Sequence, residues 1–204
     1  MAPSSIIQSS IRPLRIGMIG AGTVGGGVYE IIMNRLGGRS ASETNSAAGA
    51  VNGQAAGAKA VITKICVRDS RKPRDFQIDA STQIVTDINS IVNDNDIDLV
   101  VEVMGGTTIA KDAVLDSLKR GKSVVTANKA LIAENLDEIV GVLNAVNAGS
   151  GSENSPKVRS KAGGAAKAKF SYEASVCGGI PVINILQSCY TGDIINEVMV
   201  RACV

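Results

Sequence analysis

The sequence predicts an α/β fold, a doubly wound parallel sheet followed by the beginning of an α+β domain. Short β-branched runs alternate along the chain with segments whose apolar residues recur at helical spacing. A glycine-rich turn follows the first of these runs and leads directly into the first helical segment. Repeated strand–helix–strand units imply a parallel sheet with helices on both faces.

Each strand is predicted from a short apolar run. Four such runs are "LRIGMIG" (14–20), "KAVITKICV" (59–67), "IDLVVEVM" (97–104) and "KSVVTA" (122–127). Two further strands are predicted for "KFSYEASV" (169–176) and "INEVMVRACV" (195–204), on either side of a helix at about 181–190.

The helices between the strands are predicted from apolar faces and end signals. The first has one face made of Val24, Val28, Ile31, Ile32 and Leu36. A short helix is expected near 87–92, and a longer one over 108–120, with Thr107 or Thr108 as N-cap and Gly121 just past its end. The helix after residue 127 is marked by Ile132, Leu136, Ile139, Val140 and Leu143.

The composition excludes several classes of function. The 204 residues are 45% hydrophobic and 20% charged, with a formal net charge of +2. The sequence contains no basic stripe interleaved with aromatics, so it does not indicate nucleic-acid binding. The chain has no histidine, which excludes His-based acid–base catalysis, a Ser-His-Asp triad and imidazole metal ligands. Proton transfer would therefore fall to Lys, Asp, Glu, Tyr or Cys.

The glycine turn has the spacing Gly20-Ala-Gly22-Thr-Val-Gly25. In this pattern the first glycine allows a sharp turn, the second leaves room for a pyrophosphate, and the third lets the helix pack close to the sheet. The helix start then offers free N–H groups to the phosphates. The position between a strand and a helix favours a Rossmann-type dinucleotide site over the alternative, a purely structural glycine turn.

The segment after the second strand, "CVRDSRKPR", is basic where an acid commonly binds the ribose. Arg68 lies farther from Gly20 than the usual spacing of about 20 residues, with a low-complexity segment between them. Arg71, Lys72 and Arg74 follow it. A cationic cluster suits a 2′-phosphate, so NADP is expected in preference to NAD. The alternative is a solvated basic turn.

Segments poor in large apolar residues divide the chain. Residues 37–58 and 148–169 are rich in Gly, Ala, Ser and Asn and are predicted to be mobile surface loops. Residues 1–13 are Ser-rich and are predicted to be a disordered tail. We expect 14–170 to form the dinucleotide-binding domain and 171–204 to begin a dimerisation and substrate domain.

Lys129 is the candidate catalytic residue. It follows the strand that ends at Thr126 and Ala127, at the edge where α/β sheets bind ligands. An ammonium there can polarise a carbonyl oxygen or supply a proton as hydride reaches the carbon. The alternative is an ordinary lysine at a helix start, although a cation is slightly unfavourable there.

Five strings, in this order, resemble the homoserine dehydrogenase family: "GAGTVGGGV", "VRDSRKPR", "VVEVMGG" (100–106), "VVTANKA" (124–130) and "YEASVCGGIPVI" (172–183). The resemblance covers residues 14–192 apart from the two low-complexity segments. It implies NADPH- or NADH-dependent interconversion of L-homoserine and L-aspartate 4-semialdehyde, on the route to threonine, methionine and isoleucine. It also implies a homodimer acting on a small-molecule substrate.

The resemblance assigns roles to residues that match the family motifs. It places Gly22, Thr23 and Val24 beside the cofactor phosphates, and Met104 and Gly105 beside the ribose and nicotinamide. Lys129 matches the family lysine at the junction of cofactor and substrate. The resemblance also implies a weakly held monovalent cation, Na⁺ or K⁺, bound by the backbone carbonyls of Glu173, Val176, Gly178 and Ile180. The alternative for this last segment is a tight turn without any ion.

Family members continue past the point that Val204 reaches, with a Gly-Ile-x-Asn-Gly-Thr turn, acidic residues and a second lysine that hold homoserine. We therefore expect the catalytic half to be missing, and this chain alone to bind nucleotide with little or no dehydrogenase activity. Two alternatives are a non-catalytic NADP-binding fragment and an interaction module derived from the family.

The cysteine pattern bears on the compartment. Cys66, Cys177, Cys189 and Cys203 show no C-x-x-C spacing and are interpreted as reduced core residues. No apolar stretch approaches the ~18 residues of a membrane span. A cytoplasmic protein is expected, with a plastid as the alternative because the N-terminal residues lack acidic groups.

Overall fold

A six-stranded parallel sheet forms the centre of the structure, a computed structural model that describes residues 12–35, 60–149, 167–192, 194–197 and 199. Its strands are β1 (Leu14–Ile19), β2 (Ala60–Cys66), β3 (Gln83–Val85), β4 (Leu99–Glu102), β5 (Ser123–Thr126) and β6 (Phe170–Ser171). They lie in the order β3-β2-β1-β4-β5-β6, every neighbouring pair parallel. This is the order of doubly wound α/β folds, so the predicted fold class is confirmed.

The helices connect these strands. They are α1 (Thr23–Arg35), α2 (Asn89–Val92), α3 (Thr108–Lys119), α4 (Lys129–Asn147) and α5 (Val182–Asn184), which continues as a π-helical turn, Ile185–Cys189. Gly121 follows α3 at a φ of 74°, as its position in the sequence predicts. Within the described ranges, no helix is both long and apolar enough to cross a bilayer.

Two apolar cores cover the two faces of the sheet. One packs α3 and α4 against β4 and β5, and its most buried members include Val100, Val114, Leu118, Val124, Leu131 and Ile139. The other packs α1 against β1 and β2, through Met18, Tyr29, Met33, Ile62 and Ile65. Because both faces are covered, the edge at the carboxyl ends of the strands is left for loops and ligands.

The predicted apolar face of α1 is wrong in part. Val24 and Ile31 are exposed, at 57% and 55%, whereas Tyr29 and Met33 are 2% and 6% exposed. The reason is the close approach of the helix start to the sheet at Gly25, which turns the stripe containing Tyr29 and Met33 inward. Leu36, the last residue of the predicted face, lies outside the described residues.

Several boundaries also differ from the sequence analysis. β3 was not predicted, since it is a three-residue edge strand with an exposed side. The run 169–176 forms only the short β6, because Glu173–Ser175 folds as a 3₁₀ turn. Residues 194–197 are irregular rather than a strand, and most of the remaining predicted strand at 195–204 lies outside the described ranges.

The expectations for the tail, the loops and the cysteines have mixed outcomes. Residues 1–11, 36–59 and 150–166, which include most of the predicted tail and loops, lie outside the described part of the chain. Arg12, from the end of the predicted tail, pairs with Asp98. The three described cysteines, Cys66, Cys177 and Cys189, are free, and of these only Cys66 is buried, so the core interpretation is wrong for the other two. Their position in the turn around α5, beyond the sheet, leaves them exposed. Cys203 lies outside the described residues.

Candidate functional site

A groove of about 990 Å³ opens at the carboxyl ends of β1, β2 and β4. It runs between the glycine turn, the basic segment after β2 and the segment after β4. This is the point where the winding of the sheet reverses, between β1 and β4, and ligands of doubly wound folds bind at such points. Its lining includes Gly20, Gly22, Thr23, Arg68 and Met104, all singled out from the sequence.

One glycine of the turn has space for a side chain, whereas the other two have none. Gly20 has a φ of 108°, and a Cβ on it would lie 2.6 Å from the carbonyl oxygen of Val103. A Cβ on Gly25 would lie 2.6 Å from the carbonyl oxygen of Gly20. A Cβ on Gly22 would meet nothing within 4 Å. Gly20 and Gly25 are therefore required by the fold, whereas Gly22 leaves space in the groove.

The start of α1 offers hydrogen-bond donors beside this space. The first bond of the helical turn joins the N–H of Gly26 to the carbonyl oxygen of Gly22, at 2.8 Å. The N–H groups of the residues between them have no acceptor inside the helix. Together with the positive end of the helix dipole, these donors suit an anion such as a phosphate.

The cationic side chains of the basic segment after β2 have two different roles. Arg68, Lys72 and Arg74 line the groove. The Arg74 guanidinium donates to the carbonyl oxygens of Lys72, at 2.8 Å, and Asp69, at 2.9 Å, so it holds the shape of the segment. Arg68 is exposed and projects from the end of β2, where it is available to a ligand.

Aromatic packing anchors this segment to α1, a feature that the sequence analysis missed. The rings of Phe76 and Tyr29 lie 5.4 Å apart, and a Cβ on Gly26 would lie 2.7 Å from the Phe76 ring. The Tyr29 hydroxyl accepts a hydrogen bond from the N–H of Asp79 at 2.8 Å and lies 3.0 Å from the Thr82 hydroxyl. Phe76 itself was the available signal, since a large aromatic side chain buries much of its surface when it packs.

Cys66 lines the groove but is unsuited to nucleophilic catalysis. Burial, with a smaller contribution from Asp87, raises the pKa of its thiol. The thiol therefore stays protonated at neutral pH, and the reactive form of cysteine is the thiolate. Cys66 acts here as a small apolar side chain at the end of β2.

A polar network joins the carboxyl ends of β4 and β5. The buried Glu102 accepts hydrogen bonds from the N–H of Met104 at 2.9 Å and from the Thr126 hydroxyl at 2.5 Å. Thr126 in turn accepts from the N–H of Asn128 at 3.0 Å, and the Asn128 side chain donates to the carbonyl oxygen of Gly106 at 2.6 Å. These side chains were not predicted as a group from the sequence. A lone carboxylate in the apolar string "VVEVM" was the available signal.

Lys129 is exposed at the first position of α4. It follows the carboxyl end of β5, so it lies on the same edge of the sheet as the glycine turn after β1. Lys129 does not line the groove itself, and neither do Val24, Gly25 or Gly105. β4 lies between β1 and β5, so a ligand reaching from the glycine turn to Lys129 must cross the end of β4.

The turn around Glu173 contains the backbone carbonyls that the family resemblance assigns to a monovalent cation. The carbonyls of Glu173 and Ile180 accept backbone hydrogen bonds from Val176 at 3.1 Å and from Val182 at 2.8 Å. The carboxylate of Glu173 accepts from two N–H groups at the start of α5, so it caps that helix. Gly178 has a φ of 61°. Within the described residues, no group of three or more acidic or thiol side chains could hold a metal ion.

The fold and the groove together define a Rossmann-type dinucleotide-binding domain. The family described as "Homoserine dehydrogenase, NAD binding domain" matches residues 20–149. The chain belongs to the homoserine dehydrogenase family.

Three relatives illustrate the extent of the similarity. Homoserine dehydrogenase of Neisseria gonorrhoeae is 33% identical over 177 residues, which are 87% of this chain and 33% of that protein. The crystal structure of a homoserine dehydrogenase from Thiobacillus denitrificans matches with a TM-score of 0.61 at 27% identity, covering 88% of this chain and 34% of that one. A hyperthermophilic archaeal homoserine dehydrogenase in complex with NADPH shares the fold, with a TM-score of 0.55 at 20% identity, over 86% of this chain and 48% of that one.

The chain thus spans about a third of the length of the curated relatives that it matches.

Proposed function

We propose that this chain binds NADP(H) in the groove at the carboxyl edge of the sheet. As the cofactor-binding part of a homoserine dehydrogenase, it would serve the interconversion of L-homoserine and L-aspartate 4-semialdehyde, in the biosynthesis of threonine, methionine and isoleucine. The observation that carries the proposal is the open position at Gly22, between two glycines whose own positions are closed by backbone atoms. A fold that needed only a tight turn would not require the space at Gly22.

The glycine turn and α1 would hold the diphosphate. The N–H groups of Thr23 and Val24 precede the first bond of the helical turn and are free to donate. Gly25 acts indirectly, because it lets α1 approach the turn closely enough to direct those groups into the groove. This division explains why Val24 and Gly25 do not line the groove with their own surfaces yet belong to the proposed site.

The basic segment supports a preference for NADP over NAD. Arg68 and Lys72 line the groove at the end of β2, the place where doubly wound folds bind the ribose. A guanidinium there pairs with a 2′-phosphate in a bidentate manner. Arg74 supports them by bracing the segment through its bonds to backbone carbonyls.

The chemistry would take place over β4 and β5. The dinucleotide supplies or accepts a hydride when it is bound. Met104 and Gly105 lie at the end of β4, where the nicotinamide and its ribose would rest. The ammonium of Lys129, at the end of β5, would polarise the aldehyde oxygen and supply its proton as the carbon is reduced.

A monovalent cation, Na⁺ or K⁺, is a further part of the proposal, with the carbonyls of Glu173, Val176, Gly178 and Ile180 as ligands. The carbonyls of Glu173 and Ile180 each accept one hydrogen bond and retain a second lone pair. The expected result is a higher melting temperature in NaCl or KCl than in choline chloride of equal ionic strength. Equal melting temperatures in all three salts would remove the cation from the proposal.

A second copy of the chain is the proposed partner, as a homodimer. Ile180, Ile194 and Met199 are 63%, 88% and 85% exposed, and a second copy would cover such apolar side chains. Sedimentation equilibrium across a range of concentrations measures this directly, and a monomer at every concentration would contradict it.

Calorimetric titration with NADPH and NADH tests the function itself. We expect binding of both, tighter for NADPH, and loss of both in the Gly22→Ala variant, whose new methyl group would occupy the open position. The matched control is Gly141→Ala, in α4, where a Cβ also meets nothing within 4 Å. Failure of the wild-type chain to bind either coenzyme would overturn the proposal and favour an interaction module. Binding without reduction of aspartate semialdehyde is the result expected of this chain alone, which spans about a third of the length of its relatives.

A further inference from the structure

Glu102 is a buried carboxylate that joins the ends of two strands. It is 0% exposed. Its Oε1 accepts a hydrogen bond from the N–H of Met104, and its Oε2 accepts one from the hydroxyl of Thr126. Both partners are neutral groups, and burying a carboxylate with neutral partners is costly compared with an apolar side chain. The cost indicates that the two hydrogen bonds have a role beyond stability at this edge of the sheet.

The hydrogen bonds continue from Thr126 to the start of α4. Because the Thr126 hydroxyl donates its hydrogen bond to Glu102, its oxygen is free to accept one from the N–H of Asn128, at 3.0 Å. The Asn128 side chain accepts from the N–H of Leu131 at 3.2 Å and donates to the carbonyl oxygen of Gly106 at 2.6 Å. The relay Glu102–Thr126–Asn128 therefore fixes both the segment after β4 and the first turn of the helix that carries Lys129.

A second element is attached to the same point. The hydroxyl of Ser175, which is 7% exposed, donates to the carbonyl oxygen of Thr126 at 2.9 Å. The N–H of Ala127 also donates to the carbonyl oxygen of Glu102, at 3.1 Å. Three connecting segments thus converge on the paired ends of β4 and β5.

We propose that Glu102 is a positioning residue for the nicotinamide half of the coenzyme, acting through Thr126 and Asn128. This inference rests on the proposed function. In doubly wound sheets the two halves of a dinucleotide lie on either side of the switch point. The glycine turn after β1 receives the diphosphate, and the ends of β4 and β5 lie under the other half. The relay holds the segment containing Met104 and the backbone of the first turn of α4, which carries Lys129, in a fixed relative position.

This arrangement requires a side chain at position 102 whose two terminal atoms both accept hydrogen bonds. A glutamine at position 102 has nearly the same size, but its amide has one acceptor and one donor group. In one orientation the NH₂ faces the N–H of Met104. In the other it faces Thr126, whose hydroxyl proton then loses its acceptor. The Glu102→Gln variant therefore disturbs the relay with little change in volume.

The test compares two ligands of the full 204-residue chain. NADPH carries both halves, whereas 2′-phospho-ADP-ribose lacks only the nicotinamide. In Glu102→Gln we expect the affinity for NADPH to fall about tenfold, and the affinity for 2′-phospho-ADP-ribose to stay within about twofold. The shift in nicotinamide fluorescence on binding should shrink in parallel.

A pair of substitutions at Thr126 keeps the test decisive if Glu102→Gln fails to fold. Thr126→Val removes the hydroxyl and should reproduce the selective loss, whereas Thr126→Ser keeps it and should restore NADPH affinity. The matched control is Ser117→Ala, which removes a buried hydroxyl near the other end of α3. It should leave the affinities for both ligands unchanged.

The outcomes separate this inference from the function on which it rests. A wild-type chain that binds neither ligand overturns both. A wild-type chain that binds both, with Glu102→Gln or Thr126→Val weakening the two ligands equally or neither of them, overturns the positioning role alone. Selective loss of NADPH affinity, with rescue by serine, supports it.

Discussion

A Cβ on Gly25 would lie 2.6 Å from the carbonyl oxygen of Gly20, closer than real Cβ atoms approach any backbone oxygen. This contact sets the distance between the start of α1 and the turn after β1. It also sets the rotation of α1, which buries Tyr29 and Met33 and leaves Val24 exposed. The position of the helix donors in the groove therefore depends on the absence of one methyl group.

Gly25→Ala should destabilise the chain and abolish dinucleotide binding. The new methyl group would push α1 away from the turn, at a cost of about 1–3 kcal/mol, as for other overpacked sites. Urea unfolding measures the first effect and calorimetric titration with NADPH measures the second. Gly141→Ala, at an open helical position, should instead gain about 0.5–1 kcal/mol. Unchanged stability in Gly25→Ala would show that the helix can move without penalty.

The charges of the basic segment should control the choice between coenzymes. Replacing Arg68 by Gln should weaken NADPH binding by about tenfold, the equivalent of one charge-assisted hydrogen bond of about 1.5 kcal/mol. NADH binding should change little, because that coenzyme has no 2′-phosphate. The comparison is made by titration with each coenzyme at two salt concentrations, since the phosphate contact is screened by salt.

Arg71→Gln provides the control for this prediction. Arg71 belongs to the same segment but does not line the groove. Its substitution should alter neither affinity. If Arg68→Gln weakened NADPH and NADH equally, the arginine would serve the segment's conformation and not the 2′-phosphate.

Signals that act over a few residues were predictable from the sequence. Gly121 ends α3 where expected, since the N–H groups of Gly121 and Lys122 bond to the carbonyls of Leu118 and Ser117, all within one turn of chain. The parallel sheet followed from alternation of strands and helices, which fixes the connections without knowledge of the contacts. The positions of Gly20 and Gly22 at the groove followed in the same way.

Features that depend on contacts between distant residues could not be predicted. The burial of Tyr29 depends on how closely Gly25 and Gly26 approach the turn and Phe76, which the spacing of apolar residues does not encode. The hydrogen bond between Glu102 and Thr126 joins residues 24 positions apart on neighbouring strands. Nothing in either local sequence specifies its partner.

Acid should weaken the chain through Asp98. Burial acts to raise the pKa of this carboxyl, but hydrogen bonds from the Arg12 guanidinium and the N–H of Arg15 outweigh burial and lower it. A lowered pKa in the folded state means that the contribution to stability is complete above the unfolded value of about 4, and is lost as the pH falls through the folded pKa. Asp98→Asn should lose about 1 kcal/mol at pH 7 and show less further loss on acidification.

Urea unfolding at pH 7 and at successive values down to pH 2 measures this dependence. Asp96→Asn is the control, because Asp96 is exposed and lies in the same segment. It should keep the wild-type pH dependence. The assignment would be wrong if Asp98→Asn and the wild type lost stability in parallel between pH 5 and pH 2.

We predict that Lys129 serves the reaction and lowers the stability of the folded chain. It is the exposed first residue of α4, where its charge faces the positive end of the helix dipole. Lys129→Ala should therefore raise the free energy of unfolding by about 0.3–1 kcal/mol. The rate is measured with this chain joined to the part of the family sequence that it does not span. There, NADPH-dependent reduction of aspartate semialdehyde should slow by about 100-fold or more, as for loss of a general acid.

The contrasting control is Lys119→Ala, at the last residue of α3, where the charge is favourable and paired with Asp116 at 3.3 Å. That variant should lose stability and keep its activity, so that opposite signs in the two variants separate the dipole effect from the chemistry. A loss of stability in Lys129→Ala, with no change in rate, would assign this lysine to the helix and not to the reaction.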